Sequence, residues 1–472
     1  MKRYLWIFAV LPFLWSCIAE DSSACPQPRG VSVRMSVCPD PMTAVPRAAD
    51  EEALRDLNLY LLDADGNVVL HRYQSSPTLR FECLPGNYLL RIAANMGRDL
   101  GENPASEDFT VTHADEYDML PMSYEGEVSV PSSDETVTLP TVEVQRVVAK
   151  ITYNISVAPD AGDIRLHSVQ PVNLPARVPV FDPGLRAAEY TAGEIVGSSS
   201  QTLTGTFYML PNLQGEVPSI ADQRDKGPAN APADATFLRI RALRGSKVLD
   251  YYIYPGGNNT SNFDIRANTH YRLDIMIRGD AEVDTRIRAY TVEVLCTPEA
   301  ALSNGFLLER QPMRLTLRLG GAYEEAGVEA FVELKTGDVR YFGFEGQWGA
   351  VARPMEIRGP ENDYDIRYWP PSFTREECRF MFRVHILDRY GEVASFGFPY
   401  CYAHLLRVYT KWFDGSNGKG TVASPDALRV VEDMTLSSWY SLIYCPDEGC
   451  TLVAEPDAGR LFEGWCRNAD HT

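Results

Sequence analysis

Cysteine is the residue type with the most chemistry open to it in this chain, and the ten stand at 17, 25, 38, 83, 296, 378, 401, 445, 450 and 466. Cys17 is set apart by its surroundings. Lys2-Arg3, the apolar run Tyr4–Trp15 and the small residue Ser16 lead up to it. A basic start, a short apolar segment and a small residue before a cut form an export signal. The run is shorter than the about 20 residues a spanning helix requires. A thiol at the first position after the cut can accept acyl chains, so lipidation of Cys17 is the predicted chemistry. Burial of acyl chains contributes about 0.8 kcal/mol per methylene, and stable anchoring takes more than one chain. The competing reading is cleavage elsewhere and release. Trp15 is bulky for its position, but no Ala-x-Ala-like site lies nearby.

With Cys17 set aside the remaining cysteines are odd in number, and export permits disulfides. The crowding of Cys445, Cys450 and Cys466 predicts a local bridge whose pairing the spacing leaves open. Zinc would require a Cys-x-x-Cys pair or a histidine at ligand spacing, and neither is present there. Asp63-Ala64-Asp65-Gly66-Asn67 starts like a calcium loop but lacks a closing glutamate. Asp-Gly between apolar runs favours a hairpin turn instead, because glycine accepts positive φ. Trp348, Tyr368 and Trp369 fit an aromatic sugar-binding platform or, more simply, buried sandwich aromatics beside the Pro370-Pro371 turn.

No Gly-x-Ser-x-Gly elbow or His-Glu-x-x-His helix appears. Gly415-Ser416-Asn417-Gly418-Lys419-Gly420-Thr421 has a Gly-Lys pair without P-loop spacing and reads as a turn. Carboxylates are abundant, yet no glycosidase-like pair stands out. No catalytic residue, metal set or cofactor is predicted. The net charge of −20 argues against a nucleic-acid partner.

The elements that must position these residues are strands. Val31, Val33, Met35 and Val37 alternate with Ser32, Arg34 and Ser36, a half-buried strand with period two. Leu57, Leu59 and Leu61 alternate with Asn58 and Tyr60. Further strands are predicted at Leu79–Cys83, Tyr88–Ala93, Val137–Val144, Ile151–Val157, Phe237–Leu243, Val248–Tyr254 and Tyr271–Ile277. A long loop is predicted over 210–234. Tyr290, Val292 and Val294 open a further unit, in which Met313–Leu319, Val328–Leu334 and Phe380–Ile386 alternate cleanly. The best helix signals, Asp50–Arg55 and Ala427–Met434, are short. Short strands divided by Gly, Pro and Asn turns define an all-β fold of successive β-sandwiches.

The start of the mature chain, Cys17-Ile18-Ala19-Glu20-Asp21 with Cys25-Pro26, resembles anchor subunits of Bacteroidetes (type V) fimbriae. Leu84-Pro85-Gly86-Asn87-Tyr88 followed by Ala93-Ala94-Asn95 resembles their N-terminal sandwich, and Arg146–Ile151 the strand that opens the second. Phe207-Tyr208-Met209-Leu210-Pro211-Asn212 resembles a segment of an uncharacterised domain linked to that superfamily. Ala235–Leu238, Tyr252–Tyr254, Asn258–Thr260 and Asn268–Arg272 match further stretches, so the resemblance covers about 17–290. The last segment is similar to divergent internalin-B-type repeats through Thr451-Leu452-Val453-Ala454-Glu455-Pro456 and Phe462-Glu463-Gly464-Trp465. Such repeats usually continue into closing strands, completed here in another way or lying beyond this sequence.

The resemblance implies tandem transthyretin-like sandwiches of Greek-key type over 29–145 and 146–289, after a tether at 17–28. They precede an immunoglobulin-like β domain at 290–405 and a small β repeat at 406–472. It further implies subunits joined by strand exchange, in which main-chain hydrogen bonds and alternating side-chain pockets give affinity. Stalk subunits of this kind lose their first strand to an arginine-specific protease, whereas anchors keep it. Arg29 and Arg47 flank Val31–Val37 without making a processing site, so that strand is expected to stay. The implied partners are other fimbrial subunits and the outer membrane, the latter through acyl chains on Cys17. The alternative is a surface lipoprotein adhesin that binds glycan or host protein through residues 290–472.

Overall fold

The computed structural model describes residues 29–40, 49–198, 200–280, 284, 286–299, 306–308, 310–370, 378–410, 420–435, 438–446 and 449–465. Cys17, Cys25, Arg47 and Cys466 lie outside them. Strand dominates, and among the described residues helix is confined to single turns such as Ala49–Glu52 and Tyr323–Ala326.

The first unit contains β1 (Val31–Pro39), β2 (Leu57–Leu62), β3 (Val68–Gln74), β4 (Thr78–Cys83), β5 (Gly86–Ala94), β6 (Thr110–Thr112), β7 (Met122–Val130), β8 (Val137–Thr138) and β9 (Val142–Arg146). Their order is β3-β2-β5-β7-β9-β1-β4, with β8 beside β1. Period-two alternation puts Val33, Leu59, Leu79, Ile92, Met122 and Val144 into one core. The predicted run Val137–Val144 divides into β8 and β9 around Pro140, which has no N–H to give a ladder. In β2 both faces are buried. Asn58 is enclosed because its side chain bonds the backbone of the 98–100 segment, donating to Arg98 O and accepting from Leu100 N.

The second unit contains β10 (Ala149–Val157), β11 (Arg165–Val172), β12 (Leu174–Pro175), β13 (Arg177–Pro179), β14 (Tyr190–Thr191), β15 (Val196–Gly197), β16 (Thr202–Met209), β17 (Phe237–Arg244), β18 (Lys247–Ile253) and β19 (His270–Ile277). A three-stranded sheet, β16-β10-β19, packs through Tyr153, Ile155 and Ile277 against Val169, Ile240 and Leu249 of the β11-β17-β18 side. β10 and β19 run parallel over Lys150–Val157 and His270–Ile277. β13 crosses to the first unit and pairs with β6, while Val178 and Val180 enter the first core.

The third unit contains β20 (Ile287–Pro298), β21 (Phe306–Leu307), β22 (Met313–Gly321), β23 (Glu329–Thr336), β24 (Phe342–Phe344), β25 (Gln347–Trp348), β26 (Ala352–Met355), β27 (Glu361–Tyr368), β28 (Arg379–Asp388) and β29 (Gly391–Tyr402). One of its sheets, β21-β29-β28-β23-β26, stands alone. The other does not: its order is β15-β11-β17-β18-β20-β22-β27-β24-β25, one ladder through two units. β20 makes this continuity. Its first residues pair with β18 and the stretch from Tyr290 onward pairs with β22. The division expected at 289/290 therefore falls inside a strand.

The last segment contains β30 (His404–Tyr409), β31 (Gly420–Ala423), β32 (Arg429–Thr435), β33 (Ser438–Cys445) and β34 (Val453–Pro456), in sheets β30-β33-β32 and β31-β34. The helix predicted at Ala427–Met434 is instead β32. Val430-Val431 is β-branched and suits a pleated ladder, and β33 supplies the antiparallel partner through pairs such as Val430↔Ile443.

Candidate functional site

The strand nearest Cys17 in sequence is an interior strand. β1 is antiparallel to β4 from Val31↔Cys83 to Ser36↔Thr78, and parallel to β8 and β9 on its other side. Val31, Val33, Met35 and Val37 are at most 4% exposed. Arg29 stands exposed just before it. Both edges of β1 are paired and its apolar face is filled. Removing it would open a slot between β4 and β9 and leave two unpaired edges, the arrangement native sheets avoid.

The seam between the first two units is polar and closed. Arg146, at the end of β9, is 1% exposed. Its Nε and Nη2 donate to Glu51 O at 3.1 and 2.8 Å, and its Nη1 to Asp40 O at 2.8 Å and Asn268 Oδ1 at 3.1 Å. The Glu51 carboxylate accepts from Lys150 Nζ at 2.5 Å and Tyr208 OH at 2.7 Å. Burial by itself would raise the Glu51 pKa. The bonds from Lys150 and Tyr208, with the Arg146 charge, outweigh it and lower the value.

His113 lies beside this seam, with neither ring nitrogen hydrogen-bonded. Burial lowers its pKa below the ordinary 6.5, opposed by Asp115 at 3.7 Å. The unfolded chain therefore binds a proton more readily than the folded one. Stability from this site is complete above about pH 6.5 and declines as pH falls through that value. His113→Phe is expected to flatten the acid-side loss, read as urea midpoints at about pH 5 and pH 7. Identical pH slopes in the two proteins would count against it.

Between the second and third units lies a buried ionic cluster. Arg241 on β17 reaches Asp250 of β18 with Nε and Nη2, both at 2.9 Å. Its Nη2 also bonds Asp388 Oδ2, at the end of β28. Tyr290 OH donates to the same oxygen at 2.9 Å. Arg239 is stacked on Tyr390 with its guanidinium carbon 3.9 Å from the ring centre and donates to Gln170 at 3.0 Å. Burial would lower the Arg241 pKa, but Asp250 and Asp388 carry it upward, while burial raises that of Tyr290. Shifted groups in a cleft would mark catalysis. These are enclosed instead, with Arg241 and Asp388 side chains at 2% and 0% exposure. They fasten the Asp388-Arg389-Tyr390-Gly391 turn to the preceding sandwich.

The aromatic trio separates. Tyr368 is fully buried and its hydroxyl accepts from Asp338 N at 2.9 Å. Trp348 remains 41% exposed and meets Trp369 with ring centres 5.2 Å apart and planes at 48°. The Arg367 guanidinium lies 5.3 Å from the Trp369 ring centre.

Cys445 and Cys450 are joined as a disulfide, with Cα atoms 5.4 Å apart. Cys38, Cys83, Cys296 and Cys401 are free thiols. The Asp63 carboxylate accepts from the N–H of Asp65 and Asn67 at 3.0 and 2.9 Å, closing the predicted turn on itself. Among the described residues no group of three His, Cys, Asp or Glu is placed to hold a metal ion.

Residues 207–275 match a family described as a domain of unknown function (DUF4906). Among solved structures, the chain is similar to a C-terminally truncated tip fimbrial protein Mfa3 from Porphyromonas gingivalis, at 18% identity and a TM-score of 0.38 over 55% of this chain and 98% of that one. The fimbrilin FimA of the same organism is similar at 13% and 0.37, over 55% and 95%. So is the fimbrial anchor protein Mfa2, at 10% and 0.29 over 46% and 78%. No curated protein sequence matches.

The sequence places Arg146 only at the start of a strand and Asp388 in the turn that follows Phe380–Ile386. Neither is marked as a clamp. No local signal marks them: Arg146 follows Gln145 and Asp388 precedes Arg389, as an ordinary exposed charge at a strand end would.

Proposed function

We propose that this chain is a lipid-anchored, surface-exposed fimbrial subunit without catalytic activity. It holds successive β-sandwiches at the outer membrane and joins other subunits through strand exchange. The observation that carries this reading is the closeness of the acylation signal at Cys17 to β1. A tether from Cys17 to Val31 extends at most about 50 Å, so the sandwich containing β1 is held near the lipid. Because β1 is paired on both sides, a partner strand would be received elsewhere. The outer edges of β16 and β19 in the sheet β16-β10-β19 are the candidate acceptors, since each ends its sheet. A strand added there would gain main-chain hydrogen bonds and cover an edge. The C-terminal segment is read as an internalin-type repeat.

Cys17→Ala is expected to move the protein from the membrane fraction to the medium and to release attached fimbriae, as seen by fractionation and electron microscopy. Retention of both on the cells would defeat the anchor role. A second reading, display of an adhesive surface, is favoured by the exposed Trp348 held against Trp369.

A further inference from the structure

We infer that the outer face of the β27-β24-β25 edge is a saccharide-binding site, with the Trp348 indole as stacking platform and Asp365 and Arg367 as its polar flank. The inference deepens the adhesive-surface reading and rests on the protein being displayed.

The platform is built by register. Gly343 stands opposite both Trp348 and Arg367 in adjacent ladders. A Cβ at 343 would meet the Trp348 ring at 3.1 Å, so glycine is what lets the indole lie close on the backbone. Trp369 then supports the indole from the side at 5.2 Å. Arg367 covers Trp369 and is itself held by Asp365, Nε to Oδ1 at 2.9 Å with a second bond from Nη2 to Oδ2. Arg353 closes the β25 turn, donating to Gln347 Oε1 at 3.1 Å and Trp348 O at 3.3 Å. A ring resting on the Gly343 backbone and on Trp369 yet 41% exposed is pre-organised for a ligand.

The chemistry points to a sugar rather than a protein. The exposed apolar surface here is one indole face and Val351. Stable protein interfaces bury about 800 Å² on each partner around several anchors, far more than one ring supplies. Polar groups flank it instead: the Asp365–Arg367 pair on Trp369, and Arg353 at the β25 turn. The C–H face of a pyranose carries slight positive charge and suits the negative face of an aromatic ring. Its neighbouring hydroxyls suit a carboxylate and a guanidinium, which supply acceptors and forked donors.

The test uses the full mature chain, because the third unit shares a sheet with the second. It is applied to an array of neutral and acidic oligosaccharides, and the strongest binder is titrated by tryptophan fluorescence. Trp348→Ala is expected to weaken that binder by roughly tenfold. Asp365→Asn, which leaves the aromatic packing intact, is expected to weaken it measurably with an unchanged melting temperature. No binder on the array overturns the inference, as does a binder whose affinity Asp365→Asn leaves unchanged. Should Trp348→Ala fail to fold, Trp348→Leu takes its place, filling volume without an aromatic face, and undiminished binding by that variant overturns the platform role. Membrane retention through Cys17 is read by fractionation, so loss of either property is seen independently of the other.

Discussion

Asp388→Ala is expected to destabilise the second and third units by roughly 3–5 kcal/mol, the cost of leaving a buried charge without its partner. Asp388 accepts from Arg241, from Tyr290 OH at 2.9 Å and from Tyr390 N at 2.9 Å. Removing it leaves Arg241 dependent on Asp250 and Tyr290 without its acceptor. The carboxylate also lies 3.9 Å from Arg239 Nη1, whose Nε and Nη1 have no hydrogen-bond partner. Two arginines side by side in a dry seam would then face one aspartate. Asp388→Asn keeps the shape and part of the bonding, so its loss should be smaller. The measurement is a urea titration of the full chain, with hydrogen exchange over β17, β18 and β20 to place the damage. A midpoint within the range of ordinary surface substitutions, about 0.5 kcal/mol, would show that the cluster does not fasten the units.

Arg146→Met should act at the other seam. Methionine fills much of the arginine's volume without its donors, so packing is largely kept while Glu51 O, Asp40 O and Asn268 Oδ1 lose a bond. Leaving a buried acceptor unmade costs about 1–3 kcal/mol. A total near 3 kcal/mol follows if water cannot reach both carbonyls. The Glu51 carboxylate loses a nearby positive charge as well. Limited proteolysis and hydrogen exchange should show β6 and β13, which pair across this seam, opening before either core. Unchanged protection of that pair would argue that β13 and its apolar neighbours Val178 and Val180 hold the seam unaided.

Much of the fold was legible because period-two alternation is local. β1, β10 and β28 are recognisable from a few residues each, since a strand with one face in the core must alternate apolar with polar. The misreadings have equally local causes. At Ala427–Met434 the spacing of apolar residues fitted a helix, and β33 decided otherwise by offering a ladder. At Asn58 a polar residue in an alternating run suggested a solvent face, but the 98–100 segment covers it with hydrogen bonds. The candidate binding surface was half legible: Trp348, Tyr368 and Trp369 drew notice as aromatics, and alternation along β27 sent Tyr368 to the core and Trp369 outward.

The amino-acid sequence by itself determined most strand-forming segments and their turns, and it is the sole ground for the acylation proposed at Cys17. Each depends on residues close together in the chain. Tertiary structure alone decided that β20 serves two units, that β1 is paired on both sides, and that buried charges lock the seams. Arg241 and Asp388 are 147 residues apart, and Asp40 and Asn268 are 228 apart. Such pairs carry no local signal. Their cost or benefit exists only once folding has removed both partners from water, which is why strands are legible locally and the joints between units are not.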